Sequence, residues 1–183
     1  MAKLCKAGKQ LREQIDDDYP DRDRRSDGWV ADARHVAKGN SDHIPDARGI
    51  VRGLDIDSDL GAHKEEAYAV VEKIRKCAKN GDKRIKYIIY DGKIMSPILN
   101  WKRRKYTGAN PHKSHFHISF TTLGDNDGNW FNLEGDNNER IETDGWILGK
   151  DLPRDRSIDL PLGGSSTRLH SQCGTCECVA FRD

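Results

Sequence analysis

The stretch SHFHISF at residues 114–120 alternates polar and apolar side chains from His115 to Phe120. Because successive side chains of a β-strand point to opposite faces of the sheet, this alternation predicts a half-buried strand. Its polar face would carry His115, His117 and Ser119, and its apolar face Phe116, Ile118 and Phe120. One side of the predicted sheet is therefore core, and the other side is available for histidine chemistry.

A second apolar segment, IVRGLDIDSDLG at residues 50–61, contains carboxylates within its apolar run. If this segment is a strand, Asp55 and Asp57 lie on the face opposite Leu54 and Ile56. A carboxylate on a half-buried strand is costly unless a cation or hydrogen-bond donors compensate it. Both aspartates are therefore candidate site residues.

Three further patterns predict regular structure around these two strands. Apolar residues at helical spacing predict one helix over residues 3–15 and a longer one over residues 63–79, which Asn80-Gly81 would end. Two β-rich runs flank Asp91-Gly92, a dipeptide suited to the positive φ angles of a tight hairpin. Helices and strands are thus both expected.

Composition limits the classes of function. The chain has 183 residues, of which 35% are hydrophobic and 33% charged, and this suits one polar domain with a small core. Lysine and arginine total 31 against 30 for aspartate and glutamate, so no overall charge attracts nucleic acid or an anionic membrane. Since no apolar run could span a membrane and the N-terminus has no apolar signal segment, we expect cytoplasmic synthesis and no membrane association.

The candidate ligands for a metal ion are His43, Asp55 and the pair His115 and His117. A catalytic zinc site uses about three protein ligands and one open position, and strands hold such ligands rigidly. Each residue alone is more often a surface or hydrogen-bonded side chain than a ligand. Together, a carboxylate in one apolar strand and histidines on another favour a bound cation, because a cation offsets the cost of burying them.

The segments SDHIPDARGIVRGLDID and NPHKSHFHISF together resemble the LAS zinc peptidases. This group contains D-Ala-D-Ala carboxypeptidases and dipeptidases and the L-alanyl-D-glutamate endopeptidases of bacteriophage lysis enzymes. Its members carry Ser-x-His, then Gly-x-Ala-x-Asp, then a final histidine within His-x-His or Glu/Asp-x-x-His. The matching positions here are Ser41, His43, Asp55 and His117, and the likeness extends over residues 4–120.

The resemblance implies a zinc-dependent peptidase that cleaves a bond in the peptidoglycan stem peptide, as a phage endolysin does, with His43, Asp55 and His117 holding the zinc ion. It also implies an α+β fold in which helices flank a small antiparallel sheet and the metal lies on the open face of the sheet. We expect a monomeric domain over residues 1–148 that acts at the bacterial cell wall after release. The sequence leaves open which stem-peptide bond is cut, because specificity depends on loops.

The chain departs from the family pattern in its first motif. The spacing between His43 and Asp55 is longer than usual, and Val51 and Gly53 stand where Gly and Ala are usual. Asp57 is therefore a second candidate ligand. Asp55 is preferred, because it keeps a small residue two positions before the ligand.

The second departure concerns the general base. Ser114 stands three residues before His117, where many relatives have Glu or Asp, and a serine hydroxyl has no useful pKa for this role. His115 and His112 are the remaining candidates for the base. Arg25, in an Arg-Ser pair, resembles the cation that binds the oxyanion or a substrate carboxylate in the family.

Two further features favour other functions. The basic patch Lys102–Lys105, together with the histidines, is compatible with a metal-dependent nuclease or a nucleic-acid-binding protein. The balanced overall charge makes nucleic acid the less favoured partner.

A polar tail is expected over residues 149–183, where cysteines near His170 are either free thiols or a structural zinc site. These cysteines are Cys173, Cys176 and Cys178.

Overall fold

The computed structural model describes residues 1–32, 36–37, 39, 41–61 and 64–133. The predicted domain boundary at residue 148 and the tail over residues 149–183 lie outside these ranges. The strands are β1 (Lys3–Leu4), β2 (Ile50–Val51), β3 (Gly53–Asp57), β4 (Ile85–Tyr90), β5 (Lys93–Met95), β6 (Arg104–Lys105) and β7 (His115–Phe120). The described α-helices are α1 (Lys6–Asp18) and α2 (Lys64–Lys79), and short 3-10 helices cover Pro97–Leu99 and Thr122–Asp125.

Five of the strands form one antiparallel sheet in the order β3, β7, β4, β5, β6. The strand predicted from SHFHISF, β7, lies between β3 and β4. Its register against β3 places His117 directly opposite Asp55, and His115 opposite Asp57. β1 and β2 form a separate parallel pair. The predicted α+β fold, with helices beside a small antiparallel sheet, is confirmed.

One face of the sheet belongs to the hydrophobic core. The alternation predicted for β7 is confirmed, because Phe116, Ile118 and Phe120 are buried together with Leu54 and Ile56 of β3. Both helices bury their apolar faces in the same cluster. Since a fully buried large apolar side chain contributes about 1.5–3 kcal/mol, this face anchors β3 and β7 side by side. The polar residues of the two strands must then share the other face.

The longer predicted helix and the predicted hairpin are both present. α2 begins at Lys64 and ends at Lys79, and no helix within the described ranges is long and apolar enough to cross a membrane. β4 and β5 are joined by Asp91 and Gly92, whose φ angles of 42° and 69° are the positive values that a tight hairpin requires. The apolar positions buried on α2 are Ala67, Val70, Val71, Ile74 and Ala78.

An irregularity in β4 changes the face on which its side chains lie. Ile85 is opposite Phe120 and Tyr87 is opposite Ser119, so the register shifts by one residue around Lys86. Without this bulge the side chains of residues 85 and 87 would share a face. With it, Ile85 stays in the core and Tyr87 turns to the polar face of the sheet.

Candidate metal centre

His43, Asp55 and His117 converge on the polar face of the sheet. The Nδ1 of His117 lies 2.7 Å from Oδ1 of Asp55 and 3.1 Å from Nε2 of His43. The Nε2 of His43 lies 3.3 Å from the second Asp55 oxygen, Oδ2. Ligand atoms bonded at about 2.0–2.1 Å to a tetrahedral ion are about 3.4 Å apart, so these three side chains could close around one metal ion with small adjustments.

The backbone brings the three side chains together from two directions. Asp55 and His117 are cross-strand partners in β3 and β7, whereas His43 comes from a loop that crosses β3. That loop lies against Gly53, where a Cβ atom would be 2.9 Å from the backbone N of His43 and 3.0 Å from its Cδ2. The N–H of Arg52 also donates to the carbonyl of Asp42 at 3.0 Å. The small residue two positions before Asp55 therefore makes room for the loop that carries His43.

The second nitrogen of His117 is held by a polar chain that the sequence did not reveal. Its Nε2 lies 3.0 Å from the Ser119 hydroxyl, which donates to Oδ2 of Asp42 at 2.8 Å. Because the hydroxyl proton is directed at Asp42, the Ser119 oxygen accepts from the Nε2–H of His117. With the Nε2 proton held in this way, Nδ1 is the nitrogen of His117 that can coordinate a metal ion, in place of the proton that it directs at Asp55. Tyr87 and Lys86 also donate to Asp42, at 2.8 Å and 2.9 Å.

Charge is balanced within the centre. Burial alone would raise the pKa of Asp55, but hydrogen bonds from His117 and His43 lower it well below its usual range. Burial alone would lower the pKa of His43, but Asp55 raises it above its ordinary value. Asp42 has a lowered pKa because the hydrogen bonds from Lys86 and the two hydroxyls outweigh its burial. A metal ion at this position would replace the protons that His117 and His43 direct at Asp55, and it would meet an ionised carboxylate.

His115 and His112 border the same carboxylate. The Nε2 of His115 lies 3.9 Å from Oδ2 of Asp55, and the ring centroids of His112 and His115 are 5.0 Å apart. Burial, together with the neighbouring His117 and His115, lowers the pKa of His112 to about 4. Burial also lowers the pKa of His115. Both rings are therefore neutral at pH 7 and have a lone pair to offer.

Two candidates from the sequence lie apart from this cluster. Asp57 shares the polar face of β3, but its Oδ2 accepts from the N–H of Ser26 and its Oδ1 from that of Asp59, each at 2.9 Å. Its carboxylate therefore holds a loop in place. The side chain of Arg25 is 87% exposed and pairs with Asp23, so the structure does not bring this cation to the cluster.

A cleft of about 410 Å³ adjoins Asp55 at the edge of β3. Arg12 of α1 and the aromatic Trp29 are on its wall. Within the described ranges Arg12 makes no ion pair or hydrogen bond, whereas Asp27 on the same wall is neutralised by a bidentate pair with Arg22. Arg12 therefore supplies the uncompensated charge of this cleft. The lining residues are Arg12, Asp27, Gly28, Trp29, Val30, Leu54 and Asp55.

Comparisons with known protein families, with curated proteins and with solved structures find no match for this chain. The nature of the site therefore rests on its geometry. Two histidine nitrogens and a carboxylate form a group that could hold a metal ion on the polar face of the sheet. The other ligand set considered from the sequence, Cys173, Cys176 and Cys178 with His170, lies outside the described residues.

Proposed function

We propose that this protein is a zinc-dependent peptidase that cleaves a peptide bond in the stem peptide of bacterial peptidoglycan, as a phage endolysin does. The observation that carries the proposal is the convergence of His43, Asp55 and His117, the three residues that match the LAS zinc ligands. Two imidazole nitrogens and one carboxylate oxygen suit zinc and leave a fourth position open, which is the arrangement of catalytic zinc sites. The polar chain behind His117 supports the same role, since it orients the ring.

Zinc, when bound, supplies a Lewis acid that polarises the scissile carbonyl and activates water. The chain must then provide a base that accepts the proton of the water and returns it to the leaving amine. We assign this role to His115, because its Nε2 faces Asp55 while its Nδ1 lies 3.3 Å from the Ser114 hydroxyl. His112 packs beside it and is the second candidate. A neutral imidazole thus replaces the carboxylate found in many relatives.

The cleft beside Asp55 is suited to part of a peptide. Its volume of about 410 Å³ falls within the range of small-ligand sites, about 300–1,000 Å³. Stem peptides carry free carboxylates, and Arg12 offers a guanidinium that can bind a carboxylate through two parallel hydrogen bonds. Arg12 rather than Arg25 is therefore our assignment for the cation that positions the substrate.

The alternative function, a metal-dependent nuclease, needs a continuous basic surface beside the site. The side chain of Arg103, in the middle of Lys102–Lys105, is only 4% exposed and pairs with Glu72. The patch also includes β6, which is the edge strand farthest from β3 in the sheet order. These placements favour the peptidase over the nuclease as the proposed function.

The test is a paired assay on bacterial cell walls and on DNA, each with and without a chelator. We expect the zinc-loaded protein to clear the walls, to lose this activity with the chelator, and to leave DNA intact. Asp55→Asn is expected to be inactive, and Asp57→Asn, which changes a neighbouring carboxylate of the same strand face, to remain active. Metal-dependent cleavage of DNA with no effect on walls would replace the peptidase by the nuclease.

A further inference from the structure

A second group of potential metal ligands lies beside the first. Asp55, His112 and His115 each offer one ligand atom, and these atoms lie within 4.8 Å of one another. His115 turns its Nε2 toward Oδ2 of Asp55, and its Nδ1 contacts the Ser114 hydroxyl. Oδ1 of Asp55 thus lies near His117, whereas Oδ2 lies 3.3 Å from the Nε2 of His43 and 3.9 Å from the Nε2 of His115. A carboxylate in this position can bridge two cations, as in enzymes whose ions are about 3.5–4 Å apart.

His112 has a buried nitrogen for which the described residues provide no partner. Its Nδ1 is inaccessible to solvent and makes no hydrogen bond. A buried polar atom left unsatisfied costs about 1–3 kcal/mol, so its position is unfavourable unless something binds there. A cation coordinated by this nitrogen would offset part of that cost.

The backbone nevertheless holds His112 firmly in this place. Its φ of 53° is in the left-handed region, which is uncommon for residues other than glycine. Its N–H donates to Oδ1 of Asn110 at 3.0 Å, and its carbonyl accepts from the N–H of Asp91 at 2.9 Å. The ring of Tyr106 packs against it with centroids 5.6 Å apart. A strained residue fixed from three sides, with its imidazole beside Asp55, has the properties of a preorganised ligand.

We propose that Asp55, His112 and His115 form a second site for a divalent cation, weaker than the first, and that its occupation inhibits hydrolysis. The second ion binds more weakly because it shares Asp55 with an ion already bound and is repelled by it. It inhibits because it takes the lone pairs of both histidines that could accept a proton from water. The inhibitory consequence rests on the proposed peptidase function, whereas the binding site does not.

The test is a zinc titration of the full chain by calorimetry, with Cys173, Cys176 and Cys178 changed to serine so that tail thiols add no site. We expect two binding events, the second at least about tenfold weaker than the first. His112→Asn and, separately, His115→Gln should remove the second event and keep the first, which also shows that each variant is folded. His117→Ala should weaken the first event.

A single binding event in the parent protein, or a second event that persists in both histidine variants, would overturn the second site and leave the proposed peptidase intact. Absence of any binding would overturn both. In the parent protein, peptidoglycan hydrolysis should rise as the first ion binds and fall as the second site fills. A rate that stays at its plateau while the second site fills would overturn the inhibitory role alone.

Discussion

At the scale of single residues, Ser119 controls how His117 presents its nitrogens. Its hydroxyl joins the Nε2 of His117 to Asp42, which keeps Nδ1 directed at Asp55. We predict that Ser119→Ala weakens zinc binding about 10- to 100-fold, the usual effect of removing a partner of a metal-bound histidine. Competition with a chelating dye measures this. Ser58→Ala, whose hydroxyl donates to the backbone carbonyl of Lys113 at 3.4 Å, is the control.

The zinc affinities measured by dye competition decide whether Ser119 orients His117. Equal zinc affinities for Ser119→Ala and the parent protein would show that the orientation of His117 does not depend on this hydroxyl. A loss of affinity in Ser58→Ala of the same size would show a general effect of serine removal. Either result would contradict the role given to the chain of Asp42 and Ser119.

We expect different effects on substrate binding when Arg12 and Arg25 are replaced. Arg12 lies on the wall of the cleft beside Asp55, whereas Arg25 extends into solvent with Asp23. We predict that Arg12→Gln raises KM for a stem peptide about tenfold or more, since a hydrogen bond to a charged group contributes about 1.5–3 kcal/mol, and that kcat changes little. Arg25→Gln should leave both constants unchanged. A raised KM in Arg25→Gln alone would return the role to the residue that the resemblance indicated.

At the scale of elements, the crossing of the His43 loop over β3 depends on Gly53. A Cβ atom at this position would come within 3.0 Å of the backbone at Asp42 and His43. We predict that Gly53→Ala costs about 1–3 kcal/mol in strain and weakens zinc binding by about tenfold, because the loop must move. Gly128→Ala, where the nearest atom is the Cβ of Lys6 at 3.4 Å, an ordinary van der Waals contact, should bind zinc normally. Unchanged affinity in Gly53→Ala would show that the loop adapts freely.

The elements differ in how well the sequence predicted them. The alternation of β7, the stripe of α2 and the Asp91-Gly92 turn are local patterns, and each matches the structure. The bulge at Lys86 has no local signal, because it depends on pairing with a strand far along the chain. The contacts of Asp42 with Lys86 and Tyr87 involve the bulged strand, so in the sequence only the position of Asp42 beside His43 could have drawn attention to Asp42. The sequence could not separate Asp57 from Asp55, because one backbone partner of the Asp57 carboxylate, Ser26, lies in a distant loop.

At the scale of the whole molecule, Asp125 ties the end of the sheet to the segment before β3. It follows β7 in a 3-10 helix, is 2% exposed, and forms ion pairs with Arg52 and Arg48. The hydrogen bond from Arg52 is the main reason why the pKa of Asp125 is lowered. A carboxyl with a lowered folded-state pKa stabilises the fold above its unfolded pKa, about 3.9, and this stabilisation is lost as the pH falls through the folded value.

We therefore predict that Asp125→Asn lowers the free energy of unfolding by about 1–3 kcal/mol at pH 7, allowing for the partial exposure of the arginines. The difference from the parent protein should shrink as the pH falls below about 4, because the parent carboxyl then becomes protonated. Urea unfolding of both proteins at several pH values measures this. A difference that stays constant down to pH 2 would show that the ion pairs do not contribute through the charge of Asp125.

Mass spectrometry of purified peptidoglycan after incubation with the zinc-loaded protein tests the proposed peptidase activity most directly. We predict new products split at one type of stem-peptide bond, with water added across the bond and a free amino group released. The products should disappear with a chelator and in His117→Ala, which removes one proposed ligand while Ile118 and Phe116 keep β7 in the core. Peptidoglycan left intact by folded, zinc-loaded protein would contradict the proposed peptidase function.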